Sequence, residues 1–137
     1  MLSTKEIFLD YTLAELYACS NEILMSKENN LYDITIKLIH NKILESICVY
    51  DFYVYLYSCK KFDINNLENK WKELCLLYNI DYKKNKWLTD FNSISNPQNI
   101  LSYTIAYLLS LKFTSKNYND YKELLKKEIS LEEIINI

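Results

Sequence analysis

The sequence predicts an all-α fold of five or six helices. Three observations carry that expectation. Glycine is absent and proline occurs once in 137 residues, where average usage would give roughly ten Gly, and the tight turns of β-rich folds lean on Gly. Apolar residues recur at helical spacing through most of the chain. Residues that start or stop helices stand at the breaks between those runs.

The first helix is predicted over residues 3–27. Ser3 followed by Glu6 is a capping-box pattern. Leu9, Leu13, Leu16, Ser20, Ile23 and Leu24 fall on one side of it, and Glu15, Ala18, Cys19 and Glu22 on the other. "KENN" (27–30) ends the helix, with Asn standing where Gly usually would. A second helix follows over 31–59, with Leu31, Ile34, Leu38, Ile39, Ile43, Ile47, Tyr50, Val54 and Tyr57 as its apolar stripe. Its segment "ICVYDFYVYLYSC" is apolar nearly all round, which implies burial on several sides or a surface waiting for a partner. After the turn "KKFDINN", Asn65 or Asn66 is expected to cap a third helix over 67–79, with Leu67, Trp71, Leu74 and Leu77 or Tyr78 inward.

Residues 80–97 read as the one long loop between helices, and long loops inside compact domains often serve function. Pro97 suits the first turn of a fourth helix over 98–113. Two more helices are expected over 115–128 and 130–137, the last opened by a Ser130–Glu133 capping box. No repeat and no low-complexity linker interrupts the chain, so it reads as a single helical domain, 1–137.

Charge is nearly balanced, with 16 basic residues, all Lys, against 18 acidic ones. No basic patch points to nucleic acid. Without Gly, the phosphate-cradling loops G-x-x-x-x-G-K-[ST] and G-x-G-x-x-G are excluded. The longest apolar stretch, residues 100–111, is about half of what a bilayer span needs, and the start has no signal-peptide core. The four cysteines form no C-x-x-C and read as reduced, mostly buried thiols. These features predict a soluble cytoplasmic protein that binds neither nucleic acid nor membrane.

Candidate chemistry is sparse. The only histidine, His40, is in phase with an Ile-rich stripe and reads as a structural or surface residue. One His and no Cys pair cannot build an all-protein zinc site. Glu15 and Glu22 lie two turns apart, about 10 Å along the axis, too far to share a proton or a metal ion. The 13 tyrosines cluster at 50–57 and 103–121. Their hydroxyls can donate to an oxyanion, and their rings are equally ordinary core material.

Three segments, in order and at compatible spacing, resemble the C-terminal part of oligoendopeptidase F, a zinc metallopeptidase of the thimet-oligopeptidase class. "TLAELYACSNE" (12–22) is similar to the family's T-x-A-E-x-x-S-x-x-x-E helix, with Glu15 and Glu22 at its spacing and Ala18 at the position of its small residue. Residues 51–79 resemble an aromatic-rich helix, a turn, and L-x-x-x-W/Y-x-x-L-x-x-x-Y, with Phe52-Tyr53 in place of a Phe-Glu pair. Residues 87–113 resemble W-x-x-x-P-H-F-x-x-x-P-F-Y-V-x-x-Y-A and a following Leu-rich helix. Trp87 and Pro97 keep its spacing, and Tyr103 falls on its last Tyr. The tail "YNDYKELLKKEISLEEIINI" resembles the family's closing Y-x-x-L-L.

The resemblance implies that Glu15 is the third zinc ligand, supported by Glu22, and that Tyr103 faces a bound short peptide. Zinc in the intact family is otherwise held by the two His of H-E-x-x-H, whose Glu is the general base. No H-E-x-x-H occurs in this sequence, the family's loop His falls on Asn92, and its Phe-Tyr after the Pro falls on Gln98-Asn99. The chain is therefore expected to be a C-terminal fragment or degenerate, truncated relative. Alone it should neither bind zinc tightly nor cleave peptides. Its expected partner is a fragment that supplies H-E-x-x-H, or a second copy of itself. The alternative expectation is a non-catalytic all-α interaction or dimerisation module.

Overall fold

Helices form the framework of the computed structural model, which describes residues 4–89 and 97–115 together with positions 123 and 126, and only the backbone of residues 4–10, 97 and 98. The elements are α1 (Thr4–Glu28), α2 (Tyr32–Ser58), α3 (Ile64–Leu77), the short α4 (Lys86–Thr89) and α5 (Pro97–Thr114). No strand occurs among the described residues. The all-α expectation holds. The helices expected over 115–128 and 130–137, the Ser3 and Ser130 capping boxes, and Asn92 lie outside the described residues, isolated positions apart.

Asparagine does the work that glycine does elsewhere. Asn30 and Asn79 take φ values of 59° and 55° at the ends of α1 and α3. Asn tolerates this left-handed region better than other residues with a Cβ. Both ends close as Schellman motifs. The Leu31 N–H donates to the Ser26 carbonyl at 2.8 Å and the Ile80 N–H to the Cys75 carbonyl at 2.8 Å, each reaching back across the last turn. The start of α3 differs from the expected Asn cap. Asp63 has extended backbone, and its carboxylate accepts from the Asn65 and Asn66 N–H groups at 2.9 and 3.3 Å, so the helix begins a turn earlier. A carboxylate satisfies those orphan donors and also meets the positive end of the helix dipole.

α1 and α5 pack side by side along much of their length, and α2 lies against both. Small side chains make that approach possible. Thr12, Ser20, Ser102, Ala106, Ser110 and Thr114 are all buried. Most of the hydroxyls bond within their own helix: Thr104 to the Ile100 carbonyl, Ser110 to Ala106, Thr114 to Ser110. Ser110 also lies 3.2 Å from the Leu16 carbonyl, a polar stitch between the two helices. Ser20 is the exception, with no partner for its buried Oγ among the described residues.

Two apolar clusters share α2 as a common wall. The first joins Leu16, Cys19 and Ile23 of α1, Ile39 and Ile43 of α2, and Ala106, Tyr107 and Phe113 of α5. Cys19 thus belongs to the buried side of α1, not to the outer face expected for it, because α2 closes over that side as well as α5. The second centres on Phe52 of α2, whose ring meets Trp71 of α3 at 5.5 Å and Trp87 of α4 at 5.2 Å. The predicted α2 stripe is only partly inward. Ile39 and Ile43 are buried, whereas Leu31, Ile34, Leu38, Val54 and Tyr57 are all more than half exposed. Of the two alternatives at the end of α3, Leu77 is exposed and Tyr78 packs partly buried against the second cluster, to which Cys75 adds a core residue not expected there.

The described first part of the loop, residues 80–89, is more ordered than its polar sequence suggests. Glu68 on α3 accepts hydrogen bonds from the Tyr82 hydroxyl at 2.6 Å, the Trp87 indole at 2.7 Å and the Asn85 N–H at 3.2 Å. The Trp71 indole donates to the Lys83 carbonyl at 3.2 Å. These bonds hold residues 82–87 against α3 and seat Trp87 beside Phe52, which is why α4 forms inside the loop.

Two consequences are measurable. Ser20→Ala removes a buried hydroxyl that has no compensating bond and adds helix propensity. It should leave stability unchanged or raise it by about 1 kcal/mol in urea unfolding. Glu68 supplies a pH signature. Burial alone would raise its carboxyl, but the donors Tyr82, Trp87 and Asn85 outweigh burial and hold it below its ordinary value. Its contribution is therefore present above the unfolded-state carboxylate pKa and lost as pH falls through the lower folded value. Urea midpoints of Glu68→Gln should vary less than those of the parent chain across that acidic window.

Candidate functional site

Glu15 sits midway along α1, one turn after Tyr11, so the two side chains share a face. α5 brings Tyr103 to the same place. The Tyr11 hydroxyl donates to the Tyr103 hydroxyl at 2.9 Å across 92 residues of sequence. The two rings meet edge to face at 5.8 Å and 88°. The hydrogen bond from Tyr11, partial burial and the nearby Glu15 carboxylate together push the Tyr103 hydroxyl well above the ordinary tyrosine range. Tyr103 therefore stays protonated, accepts from Tyr11, and keeps its own proton available to Glu15 or to an oxyanion. Its side chain remains open to solvent, at 39% exposure. Such a hydroxyl, held by a neighbour and facing outward, can polarise a carbonyl.

Glu22 belongs to a different group. It lies 3.9 Å from Lys42 of α2, and the Lys42 ammonium donates to the Tyr107 hydroxyl at 2.9 Å. That hydrogen bond raises the Lys42 pKa, and the Glu22 charge adds to the effect. Burial lifts Tyr107 above its ordinary value, while Lys42 opposes the shift. Cys19 completes the group at the core edge. Burial, with the Glu15 and Glu22 charges, pushes its thiol up to about 11. A thiol held protonated in this way is a poor nucleophile. The arrangement is a three-helix tie, with one lysine bridging α1, α2 and α5.

The structure thus brings Glu15 and Tyr103 together and gives Glu22 to Lys42. Asn92 lies outside the described residues. His40 is exposed on α2. Tyr11 and Lys42 were not anticipated from the sequence. Tyr11 carried one usable signal, its one-turn spacing from Glu15. Lys42 carried none, because its partners come from α1 and α5.

The donors at Glu15 do not by themselves fit a zinc ion. The groups grouped with it are two phenol hydroxyls and, toward the core, the protonated Cys19 thiol. No cluster of three or more His, Cys, Asp or Glu able to hold a metal occurs among the described residues. Glu15 can offer a metal one carboxylate, and the remaining ligands would have to come from outside this sequence. No described helix is long and apolar enough to cross a membrane.

No protein-family model, curated protein or solved structure matches this sequence. The likeness to oligoendopeptidase F therefore stands on the quoted motif residues alone.

The thiols offer a direct check on the described burial. Cys59 is half-buried at the end of α2, while Cys19, Cys48 and Cys75 are buried. In the folded protein at pH 8, an aromatic disulfide reagent should titrate Cys59 first. Cys19 should react only as the chain unfolds, and equal rates for the two would contradict the packing of α1 on α2 and α5.

Proposed function

We propose that this chain is a C-terminal part, or a degenerate relative, of an oligoendopeptidase F-like zinc peptidase domain, inactive without a segment bearing H-E-x-x-H. In that reading Glu15 supplies one metal ligand, and Tyr103 faces the substrate and donates to the oxyanion formed on a short peptide. Zinc, when bound by the complete ligand set, would polarise the scissile carbonyl and acidify water. The observation that carries the proposal is the meeting of Glu15 and Tyr103. The motif resemblance gave a site role to these two residues from distant segments, and the packing of α1 on α5 sets them side by side, with Tyr11 also bonded to Tyr103. The exposed Ala14 and Ala18 beside Glu15 leave room for another helix to approach.

The test is complementation. The 137-residue chain alone should neither bind zinc stoichiometrically nor cleave a quenched-fluorescent peptide. A helical H-E-x-x-H peptide added in trans should produce zinc binding, and Glu15→Gln should weaken it by at least about tenfold, since even residues that only support a metal ligand are worth this much. Glu22→Gln should weaken it less, because Glu22 is paired with Lys42. Turnover by the chain alone, or zinc binding indifferent to Glu15, would refute the proposal.

One observation favours a second reading, a non-catalytic module that dimerises. Leu31, Ile34 and Leu38 fall on one outward stripe at the start of α2 and are each about half exposed. Sedimentation separates the two. A dimer broken by Leu38→Lys but indifferent to Glu15→Gln would favour the module.

A further inference from the structure

The two tryptophans and Phe52 hide a second feature of the α2–α3 pair. Cys48 and Cys75 are both fully buried, at 0% exposure, in the same cluster. α2 and α3 form a helical hairpin joined by the turn at residues 59–63. Contacts between them run in opposite order: the Lys70 ammonium lies over the Tyr55 ring at 5.6 Å, Phe52 meets Trp71, and Tyr78 bonds Asp51 deeper in. Cys48 lies ten residues before the end of α2, and Cys75 eleven residues after the start of α3. At 1.5 Å per residue these distances along the two axes agree to within about one residue. The register of the hairpin therefore sets the two thiols opposite each other, and they hydrogen-bond. Cys19 and Cys59 lack this relation. Cys19 is in the other cluster, and Cys59 follows the end of α2, where its thiol donates to the Tyr55 carbonyl at 3.3 Å.

We propose that Cys48 and Cys75 are a matched thiol pair that closes to a disulfide on contact with a small-molecule disulfide of the glutathione type, clamping α2 to α3. The exchange runs in two steps. While the hairpin is open, one of the two thiols, written here as Cys75, loses its proton to solvent and attacks one sulfur of the oxidant. A mixed disulfide forms and one small thiolate leaves. Cys48 then gives up its proton and attacks the Cys75 sulfur, expelling the second small thiolate. Two protein thiols are oxidised and one small disulfide is reduced to two thiols.

Burial decides when this happens. Removal from water is the main reason that the Cys48 thiol is pushed up to about 12, and it also raises Cys75. Neither sulfur is accessible while Phe52, Trp71 and Trp87 cover the hairpin. The folded chain is slow to oxidise, and the cross-link forms while the hairpin is open, in folding or local unfolding. Once closed, the same packing shields it from reductants.

The experiment is refolding of the full chain from urea in a buffer of reduced and oxidised glutathione, followed by mass analysis. The expected product has lost two hydrogens, about 2 Da. A protease that cleaves after aromatic residues separates Cys48 from Cys59, since Tyr50 to Tyr57 lie between them. The map should then show Cys48 joined to Cys75. Cys59→Ser should leave this link intact, and any glutathione carried by Cys59 in the parent chain reads as a separate mass. The oxidised chain should melt at a higher temperature than the reduced one. In Cys48→Ala the second step is blocked, so glutathione should remain on Cys75 in chains quenched during refolding. Pairing of Cys48 or Cys75 with Cys19 or Cys59, no loss of hydrogen, or a lower melting temperature in the oxidised form would each overturn the proposal. No variant is needed for the mass and melting measurements, so misfolding of a substituted chain does not decide the outcome.

Discussion

The close approach of α1 and α5 is the constraint on which the rest depends. Two helices come near enough for a hydroxyl on one to reach a backbone carbonyl on the other only where the side chains between them are small. Ser20, Ala106 and Ser110 meet that condition, and the Ser110 hydroxyl lies within bonding distance of Leu16. That approach sets the register of the pair, and the register sets Tyr103 beside Tyr11 and Glu15. One residue of slip along α5 would turn Tyr103 by about 100° around the helix and remove it from the site. The candidate site is thus a by-product of hydroxyl-rich packing in the core behind it.

A chain without glycine has to obtain close packing and left-handed turns by other means. Ser, Ala and Thr provide the first, at the cost of buried hydroxyls, most of which bond to their own helix one turn back. Asn provides the second, at residues 30, 79 and 85. Among the described residues the solution leaves one buried side-chain hydroxyl, that of Ser20, without a partner. It also concentrates specificity in a few polar bonds. Glu68 holds the 82–87 segment through Tyr82, Asn85 and Trp87, while Lys42 links three helices through Tyr107 and Glu22.

Much of the fold was legible in the sequence because helix existence depends on local signals. Helical spacing and the breaks at "KENN" and "KKFDINN" locate α1, α2 and α3, and Pro97 locates the start of α5. What failed were quantities that depend on neighbours. The outward turn of Leu31, Ile34 and Leu38 follows from α1 and α5 taking only one side of α2, which periodicity cannot report. Cys19 was assigned to the wrong face because α1 is covered from two directions, and its buried arc is wider than the stripe of large residues. The Asp63 cap was missed because two asparagines further on are equally good capping residues. At the site, Glu15 and Tyr103 are named through motif resemblance, whereas Tyr11 shows in the sequence only its one-turn spacing from Glu15, and its bond to Tyr103 depends on α5.

The two clusters give the chain two kinds of chemistry with opposite relations to water. Around Glu15, hydroxyl and carboxylate groups meet at a partly open surface, where an incoming helix or peptide could use them. Around Cys48 and Cys75, apolar rings exclude water, so the thiols stay protonated and are guarded by the packing. α2 belongs to both. It is one uninterrupted helix of 27 residues, roughly 40 Å long, with Ile39 and Ile43 in the first core and Cys48 and Phe52 in the second. A helix anchored at both places cannot rotate at one without moving the other. Fixing its lower half on α3 therefore also fixes the wall against which α1 and α5 lean, and with it the geometry that joins Glu15 to Tyr103.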